Sequence, residues 1–145
     1  MNTQKNYMRL EFPSFSCNEA FARSAVGAFL TELDPTLETL SDIKTAVSEA
    51  VTNAIVHGYP NQIGTITVSC EMRGKDTIRI EVSDHGVGIP DIPAARMPLY
   101  TTGGAERSGM GFTIMERFMS RLEVRSEPGT GTTVIMDRTI CEDAP

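Results

Sequence analysis

Hydrophobic positions change their period several times along the chain, and each change marks an element. Met8, Leu10 and Phe12 alternate with polar neighbours, which predicts a half-buried strand stopped by Pro13. From Ala22 the spacing lengthens. Ala22, Ala25, Val26, Phe29, Leu30 and Leu33 share one helical face, with Ser16 and Glu19 ahead of them at capping-box spacing. Asp34-Pro35 restarts the chain in the order that suits an N-cap and a first helical residue. Ile43, Val47, Ala50, Val51 and Ala54 give a second apolar stripe, closed by Gly58 as a C-cap and by Tyr59-Pro60-Asn61. Alternation returns at Ile66, Val68, Cys70 and Met72 and again at Ile78, Ile80 and Val82. Between them Arg73-Gly74-Lys75-Asp76 turns, so the pair reads as a hairpin. Residues 91–108 have no clean period and carry Pro93, Pro98, Gly103 and Gly104, which predicts a functional loop. Phe112, Met115, Phe118 and Met119 predict a helix entered through Gly109-Met110-Gly111, and strands over 122–126 and 132–138 flank a turn.

The order strand, helix, helix, hairpin, loop, helix, hairpin predicts an α+β fold. Its form is a two-layer sandwich, with helices packed on one face of a mixed, mainly antiparallel sheet. At 145 residues the chain is expected to form one domain over 1–145, with a loose tail over about 140–145, and to bury roughly two-thirds of its unfolded surface.

Composition narrows the partners. The chain is 40% hydrophobic and 22% charged, as a folded domain is, and its net charge is −6. That balance argues against nucleic-acid or anionic-membrane binding, yet a local site of backbone N–H groups can still hold an anion. Cys17, Cys70 and Cys141 lack metal-ligand spacing and read as free thiols in a reducing compartment, which favours the cytoplasm. No apolar run has the length of a signal core or a bilayer span.

Three groups of residues carry candidate chemistry. Glu49, Asn53 and His57 are spaced i, i+4, i+8 and would stack along one side of the second helix, at the margin of its apolar face. They read either as a solvated flank or as a ligand face. Asp84-x-Gly86-x-Gly88 ends a strand, where a carboxylate can accept from an exocyclic amine and glycines let backbone approach a planar ring; a plain tight turn is the alternative. Gly109 and Gly111 open a helix whose free N–H groups suit a phosphate, with Arg107 beside them. In that setting the Asn53 oxygen suits Mg²⁺, which takes few protein ligands, and Glu49 suits proton acceptance from an attacking hydroxyl. His57 reads as a structural residue.

Glu49-x-x-x-Asn53, Asp84-x-Gly86-x-Gly88, a loop of roughly twenty residues, Gly109-x-Gly111 and Gly131-Thr132-Thr133 resemble, in order and spacing, the ATP-binding boxes of the GHKL superfamily, which has the Bergerat fold. The resemblance covers about 8–138. Within the superfamily, Glu49-Ala50-Val51-Thr52-Asn53-Ala54-Ile55, Pro98-Leu99-Tyr100-Thr101-Thr102 and the run from Glu106 through Gly109 and Gly111 to Glu116 are similar to the anti-sigma F factor family of endospore-forming bacteria, whose members are serine-protein kinases. The resemblance implies ATP or ADP and Mg²⁺ as cofactors. It implies two protein partners, a sporulation sigma factor of the sigma F type and an anti-anti-sigma factor phosphorylated on serine, and a homodimer. By the same resemblance Asp84 reads the adenine amine, Asn53 ligates Mg²⁺, Glu49 is the base and Arg107 contacts the terminal phosphate. Gly86, Gly88 and Thr132 shape the adenine pocket. Thr101, Thr102, Ser108, Gly109, Met110 and Gly111 belong to a lid over the phosphates, set at about 91–108 and the glycines after it. Glu19 and Arg23 lie on the docking surface. The lid departs from the family at Gly103-Gly104-Ala105. Two further functions share the boxes: a nucleotide-gated sigma-binding module with little kinase activity, and the switch kinase of a general stress sigma factor.

Overall fold

The computed structural model describes residues 5–97 and 111–140. Strand β1 (Tyr7–Pro13) leads to helix α1 (Asn18–Leu30), a 3-10 turn (Thr31–Leu33) and helix α2 (Leu37–Asn53), which widens into a π turn (Ala54–Gly58). The hairpin β2 (Thr65–Arg73) and β3 (Thr77–Asp84) follows, then the short helix α3 (Ile92–Ala95), helix α4 (Gly111–Phe118) and the hairpin β4 (Arg121–Glu127) and β5 (Gly131–Thr139).

The strands form one sheet in the order β1-β2-β3-β5-β4. All four pairings are antiparallel, so the parallel component expected of the sheet does not form among the described residues. The reason is topological. Strands β3 and β4 run the same way, but β5 inserts between them and pairs with both.

Register explains why one face is buried. Leu10, Val68, Val82, Val134 and Val124 are successive partners across all five strands, and so are Met8, Cys70, Ile80, Met136 and Leu122. Two apolar rows thus cross the whole sheet, because strand side chains on one face repeat every second residue. Helices α1, α2 and α4 cover these rows with Ala22, Val26, Leu30, Ile43, Val47, Val51, Phe112 and Met115, all buried. Arg138 binds the far end of the helical layer: its guanidinium donates to the Phe118 carbonyl at 2.5 Å and lies 3.6 Å from Asp42 of α2.

Two helix starts differ from expectation. The Ser16–Glu19 capping box does not form; Cys17 is the N-cap without a side-chain bond, and the Glu19 carboxylate turns to Arg23 instead. Asp34 has φ +48°, a left-handed conformation, and Thr36 caps α2 by accepting from the Thr39 N–H at 3.1 Å. Asp34 instead closes the 3-10 turn as its left-handed C-cap, and Thr36, in extended backbone, begins the helix.

Candidate functional site

A third row crosses the sheet beyond the two apolar ones, made of Phe12, Ile66, Asp84, Thr132 and Ser126. It begins apolar on β1 and β2 and turns polar on β3, β5 and β4. Asp84 is 6% exposed, so this is a carboxylate set at the edge of a core. Burial pushes its pKa up, while N–H groups of Gly86 and Thr132 and the neighbouring His85 pull it down. The Gly86 N–H donates to Oδ1 at 2.9 Å. A carboxylate held in that way keeps acceptor capacity for one more donor.

The segment after Asp84 is stapled on both sides. Val87 donates to the Gly58 carbonyl at 2.9 Å, and its own carbonyl accepts from Gly129 at 2.8 Å. Ile89 donates to Ser126 Oγ at 2.7 Å. Ser126 gives its one hydrogen to the Gly131 carbonyl at 2.9 Å, so Thr132, 2.8 Å away, is the donor between the two hydroxyls. Thr132 is therefore bound to Ser126. A depression of about 390 Å³ opens beside this strand end; its lining includes Asp84, His85, Arg125 and Thr132, and neither Glu49 nor Asn53.

The glycines of the Asp84 motif are packed against other backbone. A Cβ on Gly86 would lie 1.8 Å from the Gly58 carbonyl oxygen, and one on Gly88, at φ +78°, 2.2 Å from that of Glu127. Their missing side chains let backbone meet backbone. Gly131, at φ +132°, does the same against the Asp84 carbonyl, at 2.1 Å.

The second cluster lies on α2. Asn53 is the last residue of the α-helix, and the π turn begins at Ala54. His57 therefore lies within the π turn rather than on the α-helix that carries Glu49 and Asn53. Asn53 and Glu49 remain one α-turn apart, and the start of α4 meets both. A Cβ on Gly111 would sit 3.0 Å from Asn53 Nδ2, 3.3 Å from Asn53 Oδ1 and 3.3 Å from Glu49 Oε2. The structure thus brings Glu49, Asn53 and Gly111 together at a helix N-terminus. The π turn carries the chain from Asn53 to Gly58, whose own Cβ would fall 2.8 Å from the Asp84 carboxyl carbon, and so links the two clusters.

Thr101, Thr102, Arg107, Ser108, Gly109 and Met110 lie outside the described residues, as does Cys141. Glu19 and Arg23 form an ion pair at 3.0 Å on α1, away from these clusters in sequence. Two residues to which the sequence gives no role at the site bind its backbone, Tyr59 at the His85 N–H and Ser126 at the Ile89 N–H. Tyr59 reads from sequence as part of a helix breaker, and Ser126 as an unremarkable strand serine that only the register brings opposite Thr132.

The profile of the histidine kinase-like ATPase domain matches residues 18–138. A solved structure of the Erythrobacter litoralis EL346 blue-light activated histidine kinase superposes with a TM-score of 0.60 at 26% identity, covering 76% of this chain and 33% of that one. The catalytic domain of the histidine kinase ThkA shares the fold, with a TM-score of 0.56 at 15% identity, over 92% of this chain and 96% of that one. Fold and site therefore define a GHKL-type ATPase domain, a class that binds nucleotide. Among curated relatives, the anti-sigma F factor of Thermoanaerobacter sp. (strain X514) is 56% identical over 139 residues, 95% of this chain and 96% of its own. That of Geobacillus stearothermophilus is 54% identical over 142 residues, 95% of each chain. The chain belongs to the anti-sigma F factor family.

Proposed function

We propose that the protein is an ATP-dependent protein serine kinase that also binds and inhibits a sporulation sigma factor of the sigma F type, and that its substrate is a serine of the anti-anti-sigma antagonist. The observation that supports this reading best is the meeting of Glu49, Asn53 and Gly111, with a single missing methyl group leaving room beside a carboxylate and an amide.

The residues present fit Mg-ATP. Asp84 offers a buried acceptor for the adenine amine, the N–H end of α4 would suit a phosphate, and Asn53 Oδ1 would offer one hard ligand. Among the described residues no three His, Cys, Asp or Glu side chains cluster as a metal site. The proposed metal is held by Asn53, phosphates and water. When bound, Mg-ATP supplies the transferable phosphoryl group and neutralises its charge. The chain's part is to orient and to move one proton: Glu49 accepts it from the partner's serine hydroxyl, at a carboxylate fixed one turn before Asn53. Glu19 and Arg23 mark the docking surface on α1, and a homodimer is the assembly that presents it twice.

Glu49→Ala separates the two jobs of the site. Phosphoserine formation on the antagonist, followed by mass spectrometry, is expected to fall at least about 100-fold, while ATP affinity measured by calorimetry stays within a few-fold of wild type. Undiminished transfer by the variant contradicts the role given to Glu49.

A further inference from the structure

Tyr59 stands immediately after the π turn and is 6% exposed. Its hydroxyl donates to the Thr65 carbonyl at 2.6 Å, at the start of β2, and accepts from the His85 N–H at 2.7 Å. His85 follows Asp84 directly. The ring lies close against Gly64, where a Cβ would come within 2.2 Å of it. Together with Gly58, this one residue grips the strand end: Gly58 packs on the Asp84 carboxyl and accepts from Val87, and Tyr59 takes the N–H between them. The Asp84 carboxylate therefore leaves a peptide whose far side is fixed by a phenol hydroxyl.

We infer that Tyr59 is a positioning residue for base selectivity: by holding the His85 peptide, it aims the Asp84 carboxylate at the exocyclic amine of the adenine ring. The inference rests on the reading of Asp84 as the adenine contact and deepens it. The chemistry is geometric. A buried hydroxyl with both its donor and one acceptor function engaged has no freedom to rotate, so the peptide it holds cannot swing. Without the hydroxyl, the His85 N–H and the Thr65 carbonyl lose their partner, and the carboxylate gains freedom to leave the line of the amine. A residue that only filled space would lower the affinity for every nucleotide alike.

The test compares Tyr59→Phe with wild type in the full chain, by calorimetric titration with ATP and with purine riboside triphosphate, which lacks the 6-amino group. In wild type the ratio of the two affinities measures the amine contact. Tyr59→Phe keeps the ring against Gly64, and the ratio is expected to fall about five- to tenfold, the worth of one well-placed hydrogen bond. Affinity for purine riboside triphosphate is expected to hold within about twofold. Asp84→Ala is the reference, and it should abolish the discrimination. An unchanged ratio in Tyr59→Phe, with both affinities falling together or neither falling, overturns the inference while leaving the Asp84 assignment intact. A wild-type chain that does not discriminate, or an Asp84→Ala chain that still does, overturns the adenine reading and the inference with it. Tyr59→Leu also lacks the hydroxyl and keeps apolar volume; it carries the same test should the Phe variant not fold.

Discussion

A methyl group at position 111 would sit 3.0 Å from the Asn53 amide nitrogen and 3.3 Å from the Glu49 carboxylate. Those neighbours would have to give by a few tenths of an ångström, and both are residues to which the proposed function gives a role. Alanine is meanwhile the better helix former, by up to about 1 kcal/mol. Gly111→Ala is therefore expected to leave the melting temperature unchanged or slightly raised, and to slow phosphoryl transfer about tenfold or more by displacing Glu49 and Asn53. Melting and single-turnover transfer on one preparation check this; transfer at the wild-type rate would show that the crowding is harmless. At this scale the sequence was informative about residue type and silent about purpose. Gly86 and Gly88 are legible as glycines that some close approach requires, but the partner is the backbone of Gly58 and Glu127, which lies far along the chain. Tyr59 was hidden by its neighbours, because Tyr-Pro-Asn after Gly58 reads fully as a helix end.

Elements were legible wherever a period runs long enough to be counted. Strands β2 and β3 alternate over several pairs and fall where expected; the apolar stripe of α2 is also in place, although the helix starts after Thr36 and widens after Asn53. The four residues of α3 are too few for a period, and its signal is the cap alone, Asp91 accepting from the Ala94 N–H at 3.1 Å. The π turn is invisible because Ala54, Ile55 and Val56 continue the apolar pattern whether the turn holds an α or a π count. On the sheet face away from the helices, β3 and β5 are tied by a two-pronged pair. Arg79 Nε meets Asp137 Oδ1 at 2.8 Å and Nη2 meets Oδ2 at 3.0 Å, between residues in direct register. The hydrogen bonds from Arg79 hold the Asp137 carboxyl below the usual carboxylate range, more than its partial burial raises it. A carboxyl lowered in the folded state adds stability that is complete above its unfolded pKa, about 3.9, and is lost as the pH falls through the lower folded value. Asp137→Asn is expected to cost roughly 1–2 kcal/mol near neutral pH. The gap between its stability and that of wild type should hold constant down to about pH 5 and close progressively below about pH 4. Denaturant melts across that range check it; a gap independent of pH would mean that the pair's charge contributes nothing.

Across the whole molecule, two apolar rows make the sheet a platform and a third, polar at Asp84, Thr132 and Ser126, makes one of its margins a site. Helix α2 joins that margin to the start of α4, carrying Glu49 and Asn53 and then turning into Gly58. Helix α1 packs on α2, so the Glu19–Arg23 pair sits on the helix next to the one that carries Glu49. That arrangement suits a protein whose partner docks on one helix and offers a serine to the next. The most direct test is native mass spectrometry of the chain with a sigma F-type factor and ATP, before and after addition of the anti-anti-sigma antagonist. The account predicts one sigma factor held by two copies of the chain while ATP is bound. After the antagonist is added, sigma factor should be released and the antagonist should gain the mass of one phosphoryl group, on serine. An antagonist that never gains that mass, with ATP and sigma factor both bound, would contradict the central claim that this is a kinase.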